Sequence, residues 1–144
     1  MKDVARGRGR PVPLAGYSGT PLPKKLGIKE NATVALVNAP RGFGKTLGDL
    51  PDGAVLREGA RGKPDLVIWF VAQRKDLDRR LGTMSTLFGR DGLWIAWPKK
   101  ASGVATDVTE NDVRREGLAA GLVDYKICAI DATWSGLKFA RRKK

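Results

Sequence analysis

The chain has 144 residues, of which 42% are hydrophobic and 29% are charged, and this composition is typical of one globular domain. Its single cysteine, Cys128, excludes an internal disulfide, and the absence of histidine removes the commonest metal ligand and general base, so a zinc site and a Ser-His-Asp triad are excluded. No apolar run approaches the length of a membrane span, so we expect a cytoplasmic protein without a membrane partner.

The formal net charge of +12 is concentrated at the two ends of the chain. Residues 1–10 contribute +3 and residues 138–144 contribute +5, which leaves +4 for the remainder. We therefore expect a flexible basic Arg/Gly/Pro-rich arm over residues 1–16, a single domain over residues 17–140 and a basic tail over residues 141–144. Such ends can contact nucleic acid weakly and without sequence preference, but they also occur as plain solubilising tails.

The first half of the domain carries short elements. Pro23 is placed to open a short helix that ends near Gly27. Apolar runs predict strands at residues 33–37 and 54–56. Between them, Gly48 and Pro51 limit the segment after the intervening loop to a brief helical turn.

A strand–helix–strand unit follows between residues 64 and 100. The apolar runs 66–71 and 93–97 predict strands that are buried on both faces, and apolar residues at helical spacing between 77 and 88 predict the connecting helix. Because such crossovers are right-handed and ligands bind beyond the carboxyl ends of the strands, the segment after residue 97 is a predicted site. We expect the strands at 33–37, 66–71 and 93–97 to be adjacent and parallel.

The C-terminal part predicts one more helix and a hairpin. Thr109 and Asp112 have the spacing of a capping box, and Gly121 is a natural helix end. Alternating residues at 123–130 and an apolar stretch at 137–140 predict two antiparallel strands. The whole pattern predicts a three-layer α/β fold with a mostly parallel sheet and a C-terminal antiparallel hairpin.

The loop after the first strand resembles two nucleotide-binding motifs. Residues 39–46 (APRGFGKT) nearly match a phosphate-binding P-loop, in which Lys45 would contact phosphates and Thr46 would hold magnesium. The broken helix that follows makes a P-loop nucleotide-binding enzyme the less favoured hypothesis.

Residues 38–44 (NAPRGFG) also resemble a degraded form of the D/E-x-G-x-G-x-G loop of class I S-adenosylmethionine methyltransferases. Gly42 and Gly44 match, whereas Asn38 replaces the acidic residue and Pro40 replaces a glycine. Glu58 stands where that family keeps an acidic residue for the ribose. The resemblance implies a truncated, methyltransferase-like Rossmann fold that is short by one strand–helix pair.

Three groups of motifs extend along residues 17–141. They are YSGTPL with KKLG, WPKK with SGVATD, and CAID with TWSGLKF. Together they resemble a bacterial family of unknown function. This resemblance implies one compact domain and brings no established activity.

These patterns favour a non-catalytic or weakly catalytic methyltransferase-like domain that binds a small anionic or nucleotide-like ligand at the strand ends. The candidate ligand residues are Asn38, Arg41, Gly42, Gly44, Glu58, Trp97, Lys99, Lys100 and Ser102. No catalytic residue or metal ligand is indicated, and neither the cofactor nor the partner is identified. The alternative is a nucleic-acid-associated accessory protein that uses its basic ends.

Overall fold

The computed structural model describes residues 20–143, so the predicted arm of residues 1–16 lies outside the described part. The helices are α1 (Leu22–Leu26), α2 (Phe43–Leu47), α3 (Arg74–Met84) and α4 (Glu110–Ala119), with a 3₁₀ turn at Lys100–Ser102. The strands are β1 (Thr33–Val37), β2 (Val55–Glu58), β3 (Leu66–Phe70), β4 (Gly92–Pro98), β5 (Leu122–Ala129) and β6 (Trp134–Arg141). Within residues 20–143, no helix has both the length and the apolar character needed to cross a bilayer.

All six strands form one sheet in the order β2-β1-β3-β4-β6-β5. The first four are parallel, and β6 is antiparallel to both of its neighbours. The predicted adjacency of β1, β3 and β4 is therefore confirmed. Their continuous apolar runs reflect burial on both faces of the sheet. The predicted fold class, with its mostly parallel sheet and antiparallel hairpin, is confirmed.

The two faces of the sheet are covered unequally. On the long-helix face, α3 and α4 pack against the sheet through buried side chains such as Leu77, Leu81 and Val113. On the short-helix face, the five-residue helices α1 and α2 bury Leu26 and Phe43. The sheet therefore has an apolar core on each side, but only one side carries full-length helices.

Side-chain hydrogen bonds set the ends of the longer helices. Asp112 N–H donates to Thr109 Oγ1 at 3.2 Å, and Thr109 N–H donates to Asp112 Oδ2 at 3.0 Å, so the predicted capping box of α4 is confirmed. α3 ends at Met84, four residues before the predicted end. There the hydroxyls of Ser85 and Thr86 donate to carbonyl oxygens of the last turn and compete with the helical pattern.

Arg141 and Arg142, assigned from the sequence to the basic tail, are part of the folded domain. β6 continues to Arg141, whose guanidinium lies 4.0 Å from the ring centroid of Phe88 and donates to the Phe88 carbonyl oxygen at 2.9 Å. Arg142 N–H donates to the Gly121 carbonyl oxygen at 3.0 Å. The fold therefore extends beyond residue 140.

One lysine is buried on the short-helix face. Lys138 is 7% exposed, and its Nζ donates to the Leu26 carbonyl oxygen at 3.1 Å. The same oxygen accepts a hydrogen bond from Trp94 Nε1 at 2.8 Å. Burial lowers the pKa of Lys138, and the positive charge of Lys126 lowers it further. The folded state thus disfavours the charged form of this amine.

We expect Lys138→Met to remove part of the pH dependence of folding. Because the folded-state pKa of Lys138 lies below the ordinary lysine value of 10.5, the unfolded chain binds more protons between the two values. The contribution of this group to wild-type stability therefore rises with pH across that window. Urea unfolding from pH 7 to 10.5 should show the wild type gaining stability relative to Lys138→Met. The same substitution at the exposed Lys24 is the matched control, and a flat difference at Lys138 would contradict the prediction.

Candidate functional site

Three loops meet where the central parallel strands end, and we call this side of the sheet the carboxyl edge. They follow β1 (residues 38–42), β3 (residues 71–73) and β4 (residues 99–109). The turn between β5 and β6 lies beside them, because Trp134 is the register partner of Pro98. Ligands of open α/β sheets bind beyond this edge, so it is the candidate site.

The loop after β1 turns through two left-handed residues. Asn38 has a φ of 58° and Gly42 a φ of 81°. Phe43, which is 2% exposed, anchors the loop in the core, whereas Asn38, Arg41 and Gly44 are exposed. A Cβ at Gly42 would meet no heavy atom within 4 Å. Glycine is therefore favoured at this position by the left-handed backbone conformation. No neighbouring group of the described residues fills the space next to it.

The helix after this loop is too short to support a phosphate-binding loop. α2 has five residues, Phe43–Leu47, so it begins and ends earlier than the turn predicted near residues 45–50. Lys45 and Thr46 are exposed, and the Thr46 hydroxyl donates to the Gly42 carbonyl oxygen at 3.4 Å. Five residues provide little of the dipole and of the N–H array that a P-loop directs at phosphates.

β2 places Glu58 next to the end of β1. Glu58 is in register with Leu36, and the following N–H, that of Gly59, donates to the Leu36 carbonyl oxygen at 2.8 Å. The Glu58 side chain is exposed. The structure thus places Glu58 and the loop after β1 on adjacent strand ends.

The predicted ligand residues at the end of β4 differ in their exposure to solvent. Trp97 is 5% exposed and packs in the core of the long-helix face, so its ring is not available at the carboxyl edge, which corrects the prediction. Lys99 is half-buried and Lys100 is exposed. Ser102 Oγ donates to the Lys99 carbonyl oxygen at 2.7 Å and accepts from Val104 N–H at 3.2 Å. Ser102 therefore shapes the turn that presents the two lysines.

The loop before α4 is hydrogen-bonded to the start of α3 and to the residue Ala72 that precedes it. Thr106 Oγ1 donates to the Ala72 carbonyl oxygen at 2.7 Å, and Asp107 Oδ1 accepts from Arg74 N–H at 2.7 Å. Asp107 thus caps α3, where Gln73 at the N-cap position makes no side-chain hydrogen bond. A cleft of ≈ 380 Å³ opens there, lined by Ala72, Gln73, Lys75, Ala105, Thr106 and Asp107. Sequence reasoning missed this cleft because its two sides lie far apart in the chain.

Aromatic rings form a row beneath the carboxyl edge on the short-helix face. The ring centroids of Phe43 and Phe70 are 4.9 Å apart, and those of Phe70 and Trp134 are 5.0 Å apart, both in edge-to-face geometry. Trp134 is half-buried. Its ring packs against the core of the short-helix face, and the residue as a whole stays partly exposed.

Counting the loops and the start of α3, cations outnumber carboxylates at the carboxyl edge. Its cations are Arg41, Lys75, Lys99 and Lys100, and within residues 20–143 none of the four forms an ion pair. Three carboxylates lie nearby: Glu58 is exposed, Asp107 caps α3, and Asp131 Oδ1 accepts from the N–H groups of Thr133 and Trp134, both at 2.8 Å. The edge is therefore electrostatically suited to an anion.

Solved structures that superpose on this chain include several methyltransferases. A SAM-dependent methyltransferase from Aquifex aeolicus superposes with a TM-score of 0.50 at 13% identity, covering 81% of this chain and 85% of that one. A putative methyltransferase from Thermoplasma acidophilum gives 0.51 at 11% identity, with coverages of 81% and 70%. The chain has a methyltransferase-like Rossmann fold.

Other comparisons are consistent with a likeness of fold alone. A protein of the NADB-Rossmann superfamily from Streptococcus agalactiae gives a TM-score of 0.52 at 9% identity, covering 88% of this chain and 70% of that one. No protein-family model matches the sequence, and no curated protein matches it. The comparisons therefore show the fold alone, and the chemistry of the carboxyl edge depends on this chain's own residues.

A methyltransferase-like fold implies S-adenosylmethionine as a cofactor, and the residues here do not fit it. Glu58 offers a carboxylate beside β1, but Asn38 supplies none at the end of β1 and Pro40 has no N–H to donate. α2 has five residues, and β2 is the edge of the sheet, with residues 59–65 leading to β3 without a helix. No reaction step through this cofactor follows from the site.

Proposed function

We propose that this chain is a non-catalytic or weakly catalytic methyltransferase-like domain that binds a small anionic or nucleotide-like ligand at the carboxyl edge. The observation that carries the proposal is the set of four edge cations without an ion-pair partner among residues 20–143, namely Arg41, Lys75, Lys99 and Lys100. Other described cations, such as Lys24 and Arg80, also have no ion pair, whereas Arg74 and Arg114 are paired with carboxylates, so the four are distinguished by their shared position at the carboxyl edge. Unpaired cations collected on the ligand edge of an α/β sheet favour an anionic ligand.

The lysine pair is the centre of the proposed site. Lys99 N–H donates to the Thr133 carbonyl oxygen at 2.7 Å, and the Lys99 carbonyl oxygen accepts from Ser102 Oγ at 2.7 Å. Both peptide groups of Lys99 are therefore fixed before any ligand arrives. A fixed backbone lowers the entropy lost on binding, because only the two side chains must still be ordered.

The competing interpretation is that the two lysines are simply solvated. Exposed cations at the start of a loop are common and need no ligand. The two interpretations differ in one measurable respect. A specific site binds the folded state and raises its stability when an anion is added, whereas solvated lysines give only a weak effect that disappears with added salt.

A Lys99→Ala/Lys100→Ala double variant tests the proposal. Wild-type protein is titrated with AMP, S-adenosylhomocysteine and inorganic phosphate in a thermal-shift assay, and the affinities are measured by calorimetry. A ligand at one hundred times its Kd stabilises the folded state by about 2.7 kcal/mol, which raises Tm by roughly 10 °C for a domain of this size. We expect such a rise for at least one ligand and its loss in the double variant.

Lys45→Ala is the matched control, because Lys45 is also an exposed cation but belongs to the P-loop-like segment. It should bind like the wild type. Loss of binding in Lys45→Ala, with binding retained in the double variant, would contradict the proposed site and favour the P-loop hypothesis.

A second control tests the basic ends. Deletion of residues 1–10 and 143–144 should leave ligand binding unchanged, and it spares Arg141 and Arg142 because both contact the folded domain. If this deletion abolished all binding, the nucleic-acid-associated alternative would replace the proposal.

A further inference from the structure

Trp134 differs from the other three tryptophans by its position. Trp69, Trp94 and Trp97 are interior residues with exposed fractions of 0%, 0% and 5%. Trp134 is half-buried at the carboxyl edge, where it opens β6 as the register partner of Pro98. It is therefore the only tryptophan of the described residues that is partly exposed, and it lies at the candidate site.

Trp134 is held both by a ring contact with Phe70 and by backbone hydrogen bonds in the turn between β5 and β6. The Phe70 ring meets it at a centroid distance of 5.0 Å and an interplanar angle of 89°. Its backbone is held in a tight turn, since its N–H donates to Asp131 Oδ1 at 2.8 Å and its carbonyl oxygen accepts from Ile130 N–H at 2.8 Å. A ring held in this way is presented to a ligand without further ordering.

The same turn is joined to the lysine pair. Lys99 N–H donates to the carbonyl oxygen of Thr133, the residue before Trp134, at 2.7 Å. Lys100 follows in the 3₁₀ turn Lys100–Ser102. Lys99, Lys100 and Trp134 thus lie on two adjoining segments of the chain that are hydrogen-bonded to each other. Asp131, the nearest acidic residue in the sequence, uses its Oδ1 within the turn.

We propose that Trp134, Lys99 and Lys100 together recognise a nucleoside phosphate unit, in which the base stacks on Trp134 and the phosphate contacts the two lysines. This inference rests on the proposed function and assigns a chemical class to its ligand. A phosphate alone would need only the amines, whereas the adjoining aromatic surface suits a base, since every base has a π-face that stacks without sequence preference. The unit can belong to a free mononucleotide or to a single-stranded nucleic acid.

The first experiment compares AMP with ribose 5-phosphate, which carries the same phosphate and sugar but no base. Wild-type protein should bind AMP roughly tenfold more tightly, as expected for one stacked base. Trp134→Leu, which keeps an apolar side chain on Phe70, should bind the two compounds equally. Trp134→Phe, which keeps a ring, should retain part of the preference. Because Trp134 is the accessible tryptophan, AMP should also protect wild-type fluorescence from acrylamide quenching, and ribose 5-phosphate should not.

The outcomes separate this inference from the proposed function. If both compounds bind wild-type protein equally, or if Trp134→Leu keeps the tenfold preference, the stacking role is wrong while the anion site stands. If neither compound nor inorganic phosphate binds, the anion site itself is wrong. A single-stranded oligonucleotide of uridine distinguishes the two sources, because a strand ligand should bind more tightly than UMP and lose affinity steeply with salt. Circular dichroism confirms that each variant is folded.

Discussion

Replacing Trp94 with alanine should lower the free energy of unfolding by about 4 kcal/mol, the range expected when a buried aromatic side chain is removed and a cavity remains. The Trp94 ring is fully buried in the central strand β4. Its Nε1 donates to the Leu26 carbonyl oxygen at 2.8 Å, which ties the end of α1 to the sheet. The variant should therefore lose both core packing and one anchor of α1. Equilibrium unfolding in urea, followed by far-UV circular dichroism, measures the loss.

Trp94→Phe is the matched control, because it keeps an aromatic ring and removes the indole N–H. Lys138 still donates to the Leu26 carbonyl oxygen in this variant, so that oxygen keeps a partner. We expect a loss of only about 1–2 kcal/mol. Equal losses in the two variants would show that the hydrogen bond, and not the buried volume, is the dominant contribution.

Gly117→Ala should destabilise the domain by about 2 kcal/mol, although the same change stabilises most helices. A Cβ at Gly117 of α4 would overlap Phe139 Cε2 and would lie 2.8 Å from Phe139 Cζ. Phe139 is fully buried and is held by the strands on both sides of β6, so its ring has little freedom to shift. The glycine therefore allows α4 to approach the sheet.

Gly82→Ala is the control with the opposite sign. Gly82 lies in α3, and a Cβ there would meet no heavy atom within 4 Å. The substitution should raise the free energy of unfolding by about 1 kcal/mol through helix propensity alone. Measured together by urea unfolding, the two variants should shift the midpoint in opposite directions. A stabilising effect of Gly117→Ala would contradict the close packing of α4 on Phe139.

The parts of the fold that were predicted from the sequence are those encoded by local patterns. The apolar runs of β3 and β4 predicted buried parallel strands, because burial on both faces removes polar residues from the run. The capping box of Thr109 and Asp112 was visible because both partners lie within one turn. The helix-breaking residues Gly48 and Pro51 predicted that α2 would be short, although it begins at Phe43 and ends at Leu47, earlier than the turn predicted near residues 45–50.

The parts that were not predicted depend on contacts between distant segments. Asp107 caps α3 across 33 positions, and no local spacing indicates this pairing. The position of the Trp97 ring was not predictable for a different reason. In a strand that is buried on both faces, the apolar run does not alternate with polar residues, so the sequence does not indicate which face a side chain occupies. Arg141 looks like part of a basic tail until the position of Phe88 is known. The position of Lys99 and Lys100 just after β4 was predictable from the end of the apolar run, whereas the cleft beside Thr106 was not.

The strand order has a consequence for the synthesis of this protein. β6 follows β5 in the chain, yet it lies between β4 and β5 in the sheet. On the ribosome, β5 therefore has no neighbouring strand to pair with until residues 134–141 have emerged, whereas β1, β3 and β4 can already associate. The hydrogen bond from Lys99 N–H to the Thr133 carbonyl oxygen also forms only at that stage. A nascent chain should thus assemble its parallel strands first, and the proposed site of Lys99, Lys100 and Trp134 should form only when β6 pairs with β4.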